Sequence, residues 1–155
     1  MVQTASGPKS LLRDTGRAMS QENLDLVRQG YARWRAGDYD VLLEFLISSS
    51  APDIELYSRF GGFSGEPYRG HDGVRAWIAD IQENFERFDP WLDEARAVGD
   101  DRVVASGGIR FRARESGVDM AERMGWVYEF RNGLVRRMMF YGSWSEALEA
   151  VGLRE

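Results

Sequence analysis

The chain has 155 residues and a mass of 17.7 kDa, with 43% hydrophobic and 12% aromatic side chains, enough for one domain with a real core and too little for two. Its 20 Lys and Arg against 25 Asp and Glu leave a net charge of −5, which argues against a general nucleic-acid binder, because such affinity comes mainly from neutralising phosphates. Cysteine is absent and His71 is the single histidine, so disulfides, thiolate nucleophiles, cysteine-held zinc or iron–sulfur clusters and histidine metal clusters are all excluded.

No D-x-D-x-D-G loop or comparable carboxylate spacing is present either, so neither a metal nor another cofactor is expected. The longest apolar stretches, such as Val41–Ile47, fall far short of the roughly 20 residues that cross a bilayer. Residues 1–18 carry Lys9, Arg13 and Arg17 without an apolar stretch of signal-peptide length, so a cytoplasmic protein with no membrane partner is expected.

Residues 1–18 lack periodicity and read as a mobile extension, followed by a single domain over 19–155. With Ser20 as N-cap, Leu24, Val27, Tyr31 and Trp34 step along one face of a helix that Gly37 ends. Asp38 caps a second helix with Leu42, Leu43, Phe45 and Leu46, and Pro52 precedes a strand at Ile54-Glu55-Leu56-Tyr57. A glycine-rich stretch from Phe60 to Gly65 follows. From His71, Val74, Trp77, Ile78, Ile81 and Phe85 fall on one face of a strongly amphipathic helix. Beyond Pro90 the period changes to two, with strands around Trp91–Val98, Arg102–Arg114, Met120–Arg131 and Leu134–Gly142. Asn132-Gly133 is a strong hairpin signal, and Gly107-Gly108 invites a bulge or bend that curls the sheet. Ser143-Trp144-Ser145-Glu146 fits a capping box before a short closing helix. Helices followed by short-linked strands describe an α+β domain, a curved antiparallel sheet wrapped around its N-terminal helices.

Several pieces of the chain resemble the SnoaL-like group within the nuclear transport factor 2-like, cone-shaped α+β superfamily. They are Gln21-Glu22-Asn23-Leu24, Tyr31 to Asp38, Pro52-Asp53-Ile54-Glu55, Tyr68 to Val74, Ser116-Gly117-Val118, Phe130 to Val135 and Glu146 to Leu153. The resemblance spans about residues 19–153. It implies a cystatin-like cone whose relatives include polyketide cyclases, steroid isomerases, epoxide hydrolases, dehydratases and binding modules. In such enzymes burial tunes the ionisable groups within the cone. The register of Asp53-Ile54-Glu55 puts Leu56 where the resemblance implies an isomerase's carboxylate base. Counting back from Gly37-Asp38 puts Gly30 at the tyrosine donor position, with Tyr31 one residue out and rotated by about 100°. An epoxide hydrolase would need a buried Asp-Arg-Asp set, and although Arg110 and Arg112 offer the arginine, no aspartate lies within the last strands' interiors.

Candidate catalytic groups are therefore His71, the one side chain of a type whose unperturbed pKa lies near neutrality; Glu55, a strand carboxylate whose alternation places it opposite Ile54 and Leu56; and Tyr31 or Tyr57 as hydrogen-bond donor. Each has a structural reading beside the catalytic one: His71 at a helix start, and Glu55 turned outward toward an arginine. Candidate ligand-binding residues are Tyr57, Phe60, Trp77, Met124, Trp126, Tyr128 and Tyr141, an aromatic and methionine lining that suits a flat apolar ligand and equally an ordinary core or a dimer interface. Arg110, Arg112 and Arg114 read either as an anion-binding stripe or as an outer face paired with Glu122 and Glu129. The expected role is binding of a small, largely apolar molecule, with isomerase-, cyclase- or dehydratase-type acid/base chemistry as one version. The alternative is a non-catalytic ligand-binding or dimerisation module, and a homodimer is expected.

Overall fold

A computed structural model describes residues 8–60 and 66–154. In chain order it contains α1 (Pro8–Ala36), α2 (Tyr39–Ser48), β1 (Ser50–Tyr57), β2 (Tyr68–Arg69), α3 (Gly70–Asn84), β3 (Phe85–Val98), β4 (Arg102–Ala113), β5 (Asp119–Arg131), β6 (Leu134–Tyr141) and α4 (Trp144–Ala150). The six strands form one curved, open sheet in the order β2-β1-β6-β5-β4-β3. This is the expected α+β architecture, with one correction: β1 runs parallel to β6, while every other neighbouring pair is antiparallel. β1 reaches β6 only after α3 and four strands have intervened, and a long crossover of that kind is what a parallel pair requires.

Local chemistry accounts for most boundaries. Gly37 takes a positive φ of 80° and ends α1, a backbone state that costs glycine little. Asp38 then caps α2, its carboxylate accepting from the backbone N–H of Asp40 and Val41 at 3.1 Å each. Asn132 (φ 54°) and Gly133 (φ 77°) form the two-residue hairpin between β5 and β6. Ser143 caps α4 by accepting from Glu146 N–H, and Glu146 accepts in return from Gly142 N–H.

Three expectations are overturned locally. α1 does not start at Ser20, which lies inside the helix with its hydroxyl donating to the Gly99 carbonyl (2.7 Å); residues 1–7 of the expected extension lie outside the described residues. Phe85 does not continue α3 but opens β3, because its backbone pairs with Ala113 and its ring joins those of Phe60, Phe88 and Phe111. β3 accordingly runs through Pro90, tolerated because β3 is an edge strand.

Two of the register shifts in the sheet bear on its core. β3 carries an extra residue between Leu92 and Glu94, opposite Gly107 and Ser106. A Cβ on Gly107 would lie 1.9 Å from the Trp91 carbonyl oxygen, so only glycine fits this approach. On β6, Glu129 faces Arg137 and Phe130 faces Val135, which leaves Arg136 as the bulged residue. The main core joins α1, α2 and α3 to the concave face through Trp77, Ile81, Ile109, Met124 and Trp126. A smaller cluster packs α4 on the convex face, where Ala147, Leu148 and Val151 cover Val104 and Val127.

Candidate functional site

Between the concave face and helices α1 to α3 lies a cavity of about 60 Å³. That is several times the ~10–15 Å³ one water molecule needs and less than half of the ~150 Å³ that holds a benzene ring, so the cavity takes a few waters as it stands and a ring-sized ligand requires its wall side chains to move outward. From α1 it is lined by Val27, Gly30, Tyr31 and Trp34, and from α2 and the turn after it by Phe45, Leu46, Ser49 and Ser50. β1 contributes Ile54 and Leu56, α3 contributes Val74 and Trp77, and the later strands contribute Phe88, Ile109, Trp126, Tyr128, Val135, Met138 and Phe140. No Asp, Glu, His, Lys or Arg is among these lining residues.

The polar centre of the cavity is a pair of phenols. The Tyr128 hydroxyl, on β5, donates to that of Tyr31, on α1, across 2.9 Å, and the Tyr31 ring stands edge-on to Trp126 at 5.4 Å. Burial raises the pKa of Tyr31 well above its ordinary value, and the nearby Tyr128 pushes it further. Burial also raises Tyr128, and its hydrogen bond with Tyr31 opposes that shift. Both phenols are therefore neutral across the physiological range. The mutual bond uses one of their two protons, leaving the second for an acceptor within the cavity. Ser49, which caps α2, and Ser50, which opens β1, spend their hydroxyl protons on the Phe45 and Leu46 carbonyls.

The expected site residues separate into those that line this space and those that do not. Tyr31, Trp77, Trp126 and Tyr128 line it. Met124 is buried in the core beside it, and Phe60 packs one layer behind, with its ring 5.3 Å from Phe88 and 6.4 Å from Phe140. Tyr57 does not: strand alternation turns it to the other face, where it is exposed with its hydroxyl 3.3 Å from Glu55. Tyr141 also points away, into the cluster beneath α4, because its register partner Gly125 lies on that face.

Neither candidate acid/base group reaches the cavity. His71 sits in the first turn of α3 with Nε2 3.1 Å from the Ser50 carbonyl oxygen, so that nitrogen donates and the ring braces the wall from behind. Glu55 lies on the convex face between Arg69, Arg136 and Arg137. Burial by itself would raise its pKa, but hydrogen bonds from Arg69 and Arg137 hold it below the ordinary carboxylate value. Leu56 and Gly30, where the resemblance places a base and a donor, both face the cavity, and they supply neither group.

The arginine stripe keeps to the outer face, with partners other than those expected. Arg110 lies over the Trp91 ring at 4.9 Å, Arg112 grips Asp119 and approaches Glu86, and Arg114 donates to the Gln82 carbonyl. Glu129 pairs with Arg137. Val135 and Phe140 line the cavity together because the bulge at Arg136 shifts the phase of β6 by one residue. Strict alternation along Leu134–Tyr141 would put them on opposite faces, and the sequence Leu-Val-Arg-Arg-Met-Met-Phe-Tyr has no apolar-polar alternation that would mark the shift. Among the described residues, no cluster of three or more His, Asp or Glu is placed to hold a metal ion, and no helix is long and apolar enough to cross a membrane.

Helices packed into the concave face of an open six-stranded sheet, around an apolar cavity, define the ketosteroid isomerase-like class of α+β cone. A family model for the SnoaL-like domain matches residues 27–138, and the chain belongs to that family, with the fold of nuclear transport factor 2-like proteins. A nuclear transport factor 2-like protein of unknown function from Burkholderia pseudomallei superposes with a TM-score of 0.66 at 21% identity, over 84% of this chain and 98% of that one. A SnoaL-like polyketide cyclase, so named by inference, from Jannaschia gives 0.67 at 15% identity, over 90% of each chain. TerC, co-crystallised with polyporic acid, gives 0.64 at 21% identity, over 84% of this chain and 98% of that one. At these identities the likeness establishes the fold alone. No curated protein matches the sequence.

Proposed function

We propose that this protein binds a small, neutral, largely apolar molecule carrying one carbonyl-type acceptor, with the acceptor placed on the free proton of the Tyr31–Tyr128 pair. The observation that carries this reading is the lining: aliphatic and aromatic side chains around a single buried pair of neutral hydroxyls. An apolar wall with a few placed polar groups is how small-ligand sites combine area with orientation. An anion would have no cation to meet in the cavity, and an unpaired buried charge is expensive. The TerC structure with polyporic acid is in keeping with ligand binding by this fold. Any turnover of cyclase or isomerase type would have to draw on the phenols, which can polarise a carbonyl oxygen, since His71 and Glu55 stand outside the wall.

The test uses a matched pair, 1-tetralone and its hydrocarbon counterpart tetralin. Trp34, Trp77 and Trp126 line the cavity, so intrinsic fluorescence reports occupancy. The ketone is expected to bind about two- to tenfold tighter than the hydrocarbon, the worth of one hydrogen bond, and Tyr31→Phe combined with Tyr128→Phe is expected to abolish that ratio. Equal affinities in the wild type, or no fluorescence or thermal response to either compound at millimolar concentration, would overturn the reading.

A further inference from the structure

We propose that Phe60 sets the upper limit on ligand length, by closing the end of the cavity that lies toward Phe85 and Phe111; this rests on the binding role argued above. Phe88 and Phe140 belong both to the cavity wall and to a second aromatic group beyond it. The Phe60 ring occupies the junction, at 5.3 Å and 6.4 Å from those two rings on one side and at 6.0 Å and 5.2 Å from Phe85 and Phe111 on the other. Phe60 and Phe85 are only half-buried, so this aromatic group stands between the cavity and the protein surface. A ligand growing past Phe88 and Phe140 meets the Phe60 ring first.

The way Phe60 is held distinguishes it from its neighbours. Phe85, Phe88, Phe111 and Phe140 are fixed by strand pairing. Phe60 lies beyond the end of β1 and is held by a polar knot. Its N–H donates to Ser58 Oγ (3.0 Å), which donates back to the Phe60 carbonyl (2.6 Å). The Trp77 indole N–H reaches the same hydroxyl (3.1 Å) and the same carbonyl (3.3 Å). Trp77 thus presents its ring to the cavity and its N–H to the turn that positions the stopper. A site whose wall also anchors its end-stop has a defined length, so the ligand class is the short members of a homologous series of neutral carbonyl compounds.

The experiment measures dissociation constants for straight-chain alkyl phenyl ketones, acetophenone to octanophenone, with the wild type, Phe60→Ala, Phe60→Leu and the outward-facing control Tyr57→Ala. In the wild type and the control, affinity is expected to rise over the first members and then level or fall. Removing the ring lets the rise continue, at about fourfold per methylene, so that the longest ketones bind Phe60→Ala at least tenfold tighter than they bind the wild type. Phe60→Leu, which keeps a smaller stopper and the fold should the alanine variant not stay folded, shifts the profile in the same direction by less. Parallel profiles in the wild type and the Phe60 variants would overturn the inference while leaving the binding role intact. Absence of binding by every ketone to every variant would overturn both.

Discussion

Glu55 and Leu56 are neighbours in β1 and look into different chemistries. Leu56 faces a cavity whose titratable groups, among the described residues, are two neutral tyrosines. Glu55 faces a lattice of opposite charges, in which Asp53 meets Arg131 and Arg136, while Glu55 meets Arg69, Arg136 and Arg137. Period-two alternation sorts the two sets, and the high cost of burying unpaired charge explains why the sort is so complete. The comparison teaches that the groups most suggestive of catalysis in the sequence are occupied outside the cone. What remains inside is suited to recognising shape and a single acceptor.

The strongest way to break the comparison is to hollow the interior. Trp77 is 1% exposed, and its ring meets those of Trp34 and Phe140. Trp77→Ala is expected to cost about 3–5 kcal/mol in urea denaturation. It would also release the turn at Phe60, so fluorescence quenching by the long ketones should differ from the wild type in whatever protein stays folded. A loss below about 1 kcal/mol would mean that the wall is not the structural element described here.

Alkali attacks the same interior through its phenols. A tyrosine whose folded pKa is raised contributes stability that is complete below its ordinary value of 10.0 and is lost as pH rises above it. Each of Tyr31 and Tyr128 should lower the unfolding free energy by up to about 1.4 kcal/mol per pH unit above 10, until its folded pKa is reached. Tyr31→Phe and Tyr128→Phe should each flatten that slope. An unchanged slope in both variants would show the phenols to be accessible to solvent.

Gly30 tests whether the hollow is kept open at a cost in stability. A Cβ there would meet only Phe45 Cε2, at an ordinary 3.7 Å. Gly30→Ala in the middle of α1 should therefore stabilise the protein by about 0.5–1 kcal/mol and narrow the cavity, weakening 1-tetralone binding. Gain of stability with unaltered affinity would place the ligand elsewhere.

These same residues mark what the sequence disclosed. The face Val27, Tyr31 and Trp34 was legible because α1 obeys a 3.6 period, and the hairpin at Asn132-Gly133 because its backbone geometry demands those residue types. Strand alternation correctly left Glu55 opposite Leu56. Alternation alone cannot bring Val135 to the same face as Phe140, because one bulged residue, Arg136, shifts the phase of β6, and a bulge depends on the register of a partner strand rather than on local composition. The Tyr31–Tyr128 contact joins residues 97 positions apart, a pairing that no local spacing encodes. Phe85 was read as helical because its i+4 relation to Ile81 fits, and the strand ladder outweighed that relation.

The convex face should respond least, and in the opposite direction of pH. Arg131 holds Asp53 below its ordinary value of 3.8, and the arginines around Glu55 outweigh burial to hold it below 4.5. Arg112 does the same for Asp119. Carboxylates with lowered folded pKa contribute stability that is present above pH 4–5 and fades as the pH falls through their folded values, so the loss lies on the acid side and leaves the alkaline limb untouched. The Asp53–Arg131 and Asp119–Arg112 pairs are exposed, and exposed pairs are weak and screened by salt, while Glu55 is more enclosed among its arginines. Raising NaCl to about 0.5 M should therefore shrink the acid limb of the denaturation profile, and Glu55→Gln should shrink it further, while the alkaline slope from the buried tyrosines stays as steep as before. A salt-sensitive alkaline limb would erase the distinction between the two faces, because it would place the phenols in contact with bulk ions rather than within the cone.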